Sequence, residues 1–212
     1  SSDLDLVRIE CGRQRADEEV VEKLMPLAVA IPETIQDIET IIRFADQNNL
    51  PIIPRTAGTS LAGQVVGKGI VVDVSKFFTK ILEVNKEESY VWVEPGVVRD
   101  VLNVELKKHG LFFGPETSTA NRAMIGGMVG NNSCGSNSVV YGSTRDHVLE
   151  IEGYLSDGTF VHFKNEDPHE TLKSLTSGSR LHQIYTQTIA ELGKKAVIDE
   201  INREFPKPSI DR

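Results

Sequence analysis

The chain has 212 residues, 39% hydrophobic and 25% charged, with 17 glycines, which suits one globular domain or two small subdomains able to bury a core. Its formal net charge of −8 argues against a surface that tracks nucleic-acid phosphates, so any bound phosphate must be held mainly by backbone donors. The longest apolar runs, such as residues 69–74, are far too short to span a bilayer, and Cys11 and Cys134 make neither a disulfide framework nor a C-x-x-C site; a reducing, cytoplasmic setting is expected.

Residues 1–26 are mixed in charge, and Val20, Val21, Leu24 and Met25 suggest a short amphipathic helix. Residues 28–31 form an apolar run stopped by Pro32, as a strand is stopped. Thr34 can cap the helix that follows, with Asp37 at its third position, and Ile35, Ile38, Ile41, Ile42 and Ala45 share one face up to Asn48-Asn49. Residues 50–53, 54–63 and 69–74 read as strand, glycine-bearing loop and strand. The helix between the first two strands predicts a parallel pair joined by a right-handed crossover.

Residues 80–84 and 90–94 flank the polar turn Asn85-Lys86-Glu87-Glu88-Ser89 and predict a hairpin, with Trp92 facing the interior or a helix. Val97, Val101, Leu102, Val104 and Leu106 mark a helix ended by His109-Gly110. Residues 148–154 and 159–163 predict a second hairpin across Leu155-Ser156-Asp157-Gly158. Residues 165–179 are polar, and residues 181–205 read as one or two helices with Ile184, Ile189, Leu192, Val197 and Ile201 on the apolar side, stopped by Pro206-Lys207-Pro208.

Two stretches offer backbone where a core element would offer bulk. Residues 126–138 hold four glycines, three asparagines and three serines, within a longer small-residue segment from 120 to 144. N–H groups opening a helix near Gly126 would make an anion cradle, because the unpaired donors of the first turn and the helix dipole both favour negative charge. The loop 54–63, Pro-Arg-Thr-Ala-Gly-Thr-Ser-Leu-Ala-Gly, adds consecutive small residues whose N–H groups can point one way. Either stretch alone is equally well read as a tight turn; together they could grip a diphosphate from both sides.

Other chemistries are set aside. There is neither Gly-x-Gly-x-x-Gly after a strand nor Gly-x-x-x-x-Gly-Lys-[Ser/Thr], and His109, His147, His162, His169 and His182 lack metal-site spacing. No nucleophile–base pair is visible; Ser133 and Ser136 are better read as hydroxyls serving backbone or phosphate. Asn131-Asn132-Ser133 matches a glycosylation sequon by coincidence.

The ordered set Pro-Arg-Thr-Ala-Gly-Thr-Ser-Leu-Ala-Gly at 54–63, Val-Glu-Pro-Gly-Val at 93–97, Gly-Pro-Glu-Thr at 114–117, Ile-Gly-Gly-Met-Val-Gly-Asn-Asn at 125–132 and Tyr-Gly-Ser-Thr-Arg-Asp at 141–146 resembles the FAD-linked oxidases. These carry the vanillyl-alcohol-oxidase, or PCMH-type, FAD-binding domain, and the branch resembled is that of the D-lactate, glycolate and D-2-hydroxyglutarate dehydrogenases. The resemblance covers roughly residues 27–163. It implies an α+β fold of two α/β subdomains, residues 1–112 and 113–212, the second incomplete in this chain. The Asn-Asn-Ser-Cys-Gly run is similar to that of large members with a fused iron–sulfur region, which would lie in a part of the parent protein not present here.

Carried over by position, the resemblance implies that Gly58, Thr59 and Ser60 present N–H groups and hydroxyls to the pyrophosphate, that Thr56 and Ala57 belong to the same cofactor-binding loop, and that Arg55 fixes the loop or lies near the flavin side. Pro115, Glu116 and Thr117 would shape the wall beside the cofactor, and Gly126 and Gly127 would let it lie against the backbone. Asn132, Ser133 and Gly135 would add polar contacts, Tyr141 and Gly142 would close the same surface, and the backbone at Ile151 would hold the adenine. The implied reaction oxidises a 2-hydroxy acid by hydride transfer to flavin N5, the electrons passing to an acceptor met by the full-length protein; the alternative is a scaffold module that keeps the fold without flavin.

Two departures from the family pattern shape the expectation. The loop 54–63 has no histidine for covalent attachment, so FAD is expected to be noncovalent. The family's later Gly-Ser-Glu-Gly-Thr-Leu-Gly-like segment and its substrate-bearing cap are absent. The chain is therefore expected to be a piece of a longer flavoprotein, cytoplasmic or peripheral to a membrane through its partners. Alone it should bind little FAD, be inactive, and self-associate through its C-terminal helices. No catalytic residue is assigned within it.

Overall fold

The computed structural model describes residues 25–61 and 63–204. The helix expected from Val20, Val21 and Leu24, the thiol of Cys11 and the Pro206-Lys207-Pro208 stop lie outside the described residues. The chain divides at His147/Val148 into two compact units.

In the first unit, β1 (Ala28–Ala30), β2 (Ile52–Arg55) and β3 (Ile70–Asp73) form a parallel sheet in the order β1-β3-β2. The strands expected to pair directly, β1 and β2, are thus separated by β3. Composition explains the order: Ile70, Val71 and Val72 of β3 are all buried, as a central strand's residues are, whereas β2 carries Pro54, which has no N–H to give and suits an edge. Helix α1 (Ile35–Gln47) covers the sheet, placing Ile41 and Ala45 against Ala30, Ile70 and Val72. Its start is the expected one. The Thr34 hydroxyl accepts the Asp37 N–H, and the Asp37 carboxylate accepts the N–H of Thr34 at 2.7 Å and of Glu33 at 3.0 Å.

The first predicted hairpin is present as β4 (Ile81–Asn85) and β5 (Tyr90–Val93), antiparallel with a bulge between Ile81 and Glu83. Asn85 closes the turn by accepting the N–H groups of Glu87 and Glu88, and Trp92 on β5 is half-buried. Helix α2 (Arg99–Lys107) follows, then the short helices α3 (Ile125–Gly130) and α4 (Ser138–Tyr141) and a 3-10 turn at Thr144–His147. Val97, Leu102, Leu106, Ala123, Ile125 and Met128 make one core, with Ile81, Val84, Val91 and Val93 packed on it. The boundary expected between residues 112 and 113 runs through this core, because α2 on one side and α3 on the other share their apolar faces.

The second unit holds the second predicted hairpin, β6 (Glu150–Tyr154) and β7 (Phe160–Lys164), in register from Glu150↔Lys164 to Tyr154↔Phe160. The Thr159 N–H donated to Asp157 at 2.9 Å fixes its turn and holds the Asp157 carboxyl below the usual range. Residues 165–179, read only as polar, contain helix α5 (Pro168–Ser174); Asp167 caps it and Pro168 occupies its first position, a signal present in the sequence. The tail is two helices, α6 (Arg180–Leu192) and α7 (Lys195–Glu204), the former capped by Ser179. Neither has a fully buried side chain, and Leu192, Ile198 and Ile201 are exposed. Among the described residues no helix is long and apolar enough to cross a membrane.

Candidate functional site

The site begins where β2 ends. Beyond Arg55 the chain leaves the sheet, and no protein acceptor among the described residues takes the N–H groups of residues 56–61. Residues 56–60 are partly buried and Leu61 is exposed, so these donors are open to an acceptor from outside the protein. Gly58 turns the loop with φ +65°, a conformation L side chains rarely adopt. A Cβ there would stand 2.7 to 2.8 Å from the Arg55 guanidinium, so the glycine peptide closes directly over that cation. The Arg55 Nε is buried and has no hydrogen-bond partner among the described residues. Free N–H groups along residues 56–61, with the Arg55 guanidinium beneath Gly58, make a local anion site in a chain of net charge −8.

Helix α3 meets this loop, though in a different manner from the cradle expected at its start. The Ile125 N–H is donated to the Val97 carbonyl at 2.9 Å and the Gly126 N–H to the Pro95 carbonyl at 2.8 Å, so these first-turn donors fasten the helix to the strand β5 exit. Gly126 lies flat on Pro95, and a Cβ on Gly127 would stand 2.6 Å from the Thr56 hydroxyl oxygen. The glycine pair therefore lets α3 approach both Pro95 and the loop. This brings the two glycine-bearing stretches together at Thr56 and Gly127.

After α3 the chain is held by its polar side chains. Asn132, at φ +46°, accepts the Arg145 N–H through Oδ1 at 2.9 Å. The Ser133 carbonyl accepts both the N–H and the hydroxyl of the fully buried Thr144, at 3.0 and 2.7 Å. Gly135 presses its Cα face on the Glu116 carbonyl and donates its N–H to the Ser138 hydroxyl, while the Glu116 carboxylate accepts the Asn137 amide. Tyr141 packs over Gly114 and edge-on to Phe112, and its carbonyl is 2.7 Å from His147 Nε2. Gly142 abuts Asp146; the Ser143 N–H and then its hydroxyl, donated to that carboxylate, hold the Asp146 carboxyl below the usual range.

Glu116, Thr117 and Gly135, picked from sequence, come together with Arg122, Cys134 and Ser136 around a cavity of about 720 Å³, within the size range of ligand pockets. Pro115 behind it is fully buried. Two residues that sequence reasoning missed position this wall. Arg99 Nε donates to the Pro115 carbonyl at 3.0 Å, and Asn103 both accepts the Phe113 N–H at 2.7 Å and donates to its carbonyl at 3.1 Å. The available signal was two polar residues on α2 beside its buried Leu102 and Leu106. Ile151 lies on β6 of the second unit, opposite Phe163, with its side chain exposed.

Residues 26–164 match the FAD binding domain family. The chain belongs to that family. It is 39% identical over 193 residues to a D-2-hydroxyglutarate dehydrogenase of Escherichia coli (strain K12), covering 88% of this chain and 18% of that protein. It is 34% identical over 143 residues to a mitochondrial D-lactate dehydrogenase [cytochrome] of Kluyveromyces lactis, covering 66% of this chain and 24% of that one. The chain thus spans about a fifth of the length of the curated D-2-hydroxyglutarate dehydrogenases it matches. Among solved structures, an alkyldihydroxyacetonephosphate synthase superposes with a TM-score of 0.59 at 21% identity, over 68% of this chain and 26% of that one, a likeness of fold.

The residues present fit the diphosphate of FAD. Free N–H groups at 56–61 are donors open to an anion, the Arg55 guanidinium under Gly58 adds positive charge, and Gly58 keeps the loop surface bare. Among the described residues no group of three or more His, Cys, Asp or Glu could hold a metal ion.

Proposed function

We propose that this chain supplies the FAD-binding portion of a flavin-dependent dehydrogenase acting on a 2-hydroxy acid of the D-2-hydroxyglutarate, D-lactate or glycolate type. The observation that carries the reading is the row of unused N–H groups at residues 56–61, with Gly58 lying against the Arg55 guanidinium. The names of the similar proteins in Escherichia coli and Kluyveromyces lactis supply the substrate class.

The loop 56–61 and Arg55 hold the pyrophosphate, and the Thr56–Gly127 contact sets the distance between that loop and α3. Pro115, Glu116, Thr117 and Gly135 form the wall against which the rest of the cofactor lies, braced from behind by Arg99 and Asn103. Asn132 and Ser133 add polar contacts, and Tyr141 and Gly142 close the surface. When bound, flavin supplies the hydride acceptor at N5. Loop 54–63 offers no histidine, so the cofactor is held without a covalent bond.

The test uses the product of the intact gene, purified and mixed anaerobically with each of the three acids while visible flavin absorption is followed. One of them should bleach the band. A yellow protein that none of them bleaches contradicts the substrate class, and a colourless protein that takes up no added FAD contradicts the cofactor.

A further inference from the structure

The loop 56–61 must be held in place without help from its own backbone, since its N–H groups bond to nothing in the described protein. A chain of side chains does hold it. The Ser60 hydroxyl donates to Gln64 Oε1, Gln64 Nε2 donates to Asn131 Oδ1 at 3.3 Å, and Asn131 Nδ2 donates to the Ser133 hydroxyl at 3.3 Å. Each amide accepts with its oxygen and donates with its nitrogen, so the relay runs unbroken between two serine hydroxyls, each able to donate or accept. Its ends lie in the two stretches that the FAD reading assigns to the cofactor, and the Gln64–Asn131 step spans 67 positions in sequence.

We infer that Gln64 and Asn131 are positioning residues: they tie the phosphate loop to the end of α3 and so preset the spacing of the diphosphate donors. Neither has to touch the cofactor. The inference rests on the proposed FAD function, and it adds a mechanical role at residues outside the proposed contact set. A donor row that is held before binding loses less freedom on binding, which appears as affinity.

Two measurements on the product of the intact gene test it. The first is the FAD dissociation constant, from flavin fluorescence, for wild type, Gln64→Ala, Asn131→Ala and the double alanine variant. Gln64→Ala should weaken binding about five-fold, the loss of one polar tie. The double variant should be no weaker than Gln64→Ala, because the two residues act through one tie. Unchanged affinity in Gln64→Ala, or additive losses, would overturn the inference. The second is the backbone order parameter of residues 56–61, from NMR relaxation on protein freed of cofactor, expected to fall in Gln64→Ala; unchanged order would overturn the inference. If wild type takes up no FAD, the function proposed above fails, while the order parameters still decide whether Gln64 holds the loop.

Discussion

Replacing Gly127 with alanine probes the contact on which the site is built. The added Cβ would stand 2.6 Å from Thr56 Oγ1, about 0.8 Å inside the 3.4 Å at which ordinary contact begins, so with Thr56 in its present rotamer α3 and the loop must part by that amount. A donor row displaced by about 0.8 Å takes N–H···O distances from roughly 2.9 Å to beyond 3.5 Å, where a hydrogen bond is lost. Losing one or two charge-assisted bonds to phosphate, at about 1.5 kcal/mol each or somewhat more, raises the FAD dissociation constant by about 10- to 100-fold. The fold itself should not suffer, since alanine is better than glycine within a helix by up to about 1 kcal/mol. The assay is fluorescence titration with FAD beside thermal melting, on Gly127→Ala, Thr56→Ala and the pair. Thr56→Ala deletes the clashing oxygen and keeps the N–H, so the pair should bind within about three-fold of Thr56→Ala alone, a non-additive result. Wild-type affinity in Gly127→Ala, or a pair no better than Gly127→Ala, would refute the contact as the determinant of loop spacing.

Gly126→Ala should act on stability instead, because its Cβ would meet Pro95 Cβ at 2.5 Å and that rigid ring cannot turn aside; a cost of about 1 to 3 kcal/mol is expected, read as a lowered melting temperature. Thr34→Ala should cost about 1 kcal/mol by removing the cap of α1, checked by the same melt. The Thr34 hydroxyl, followed by the Thr34 and Glu33 N–H groups, holds the Asp37 carboxyl below its ordinary value. Its contribution is therefore complete above the unfolded carboxylate range and lost as pH falls through the lowered value, so Asp37→Asn should melt below wild type at neutral pH and converge with it in acid. Acid or heat denaturation followed by filtration should carry all flavin into the filtrate, and colour retained on the polypeptide would show a covalent link.

Much of this arrangement was legible in the sequence, for identifiable reasons. The Thr34–Asp37 cap, the Asn85 turn and the two hairpins rest on short-range chemistry, which single stretches of chain encode fully. The motif order traced over residues 27–163 coincides with the matched span 26–164. Strand order was not legible, because β1 and β2 each pair with β3 through contacts more than fifteen residues apart, and only burial on both faces of Ile70 to Val72 decides which strand is central. The α3 cradle was misjudged for a similar reason. A helix start looks free in sequence, whereas here Val97 and Pro95 supply carbonyls from a distant strand exit. Gln64, Asn103 and Arg99 were passed over because their role appears only once the segments they bridge are seen side by side.

The phosphate grip at residues 56–61 is tested most directly by comparing FAD with riboflavin, which has the same ring system and no diphosphate. On the product of the intact gene freed of cofactor, the two dissociation constants are measured by flavin fluorescence under one salt condition. If the free N–H row and Arg55 hold the diphosphate, FAD should bind at least about 100-fold more tightly, the worth of two charge-assisted hydrogen bonds. Riboflavin binding as tightly as FAD would contradict the grip.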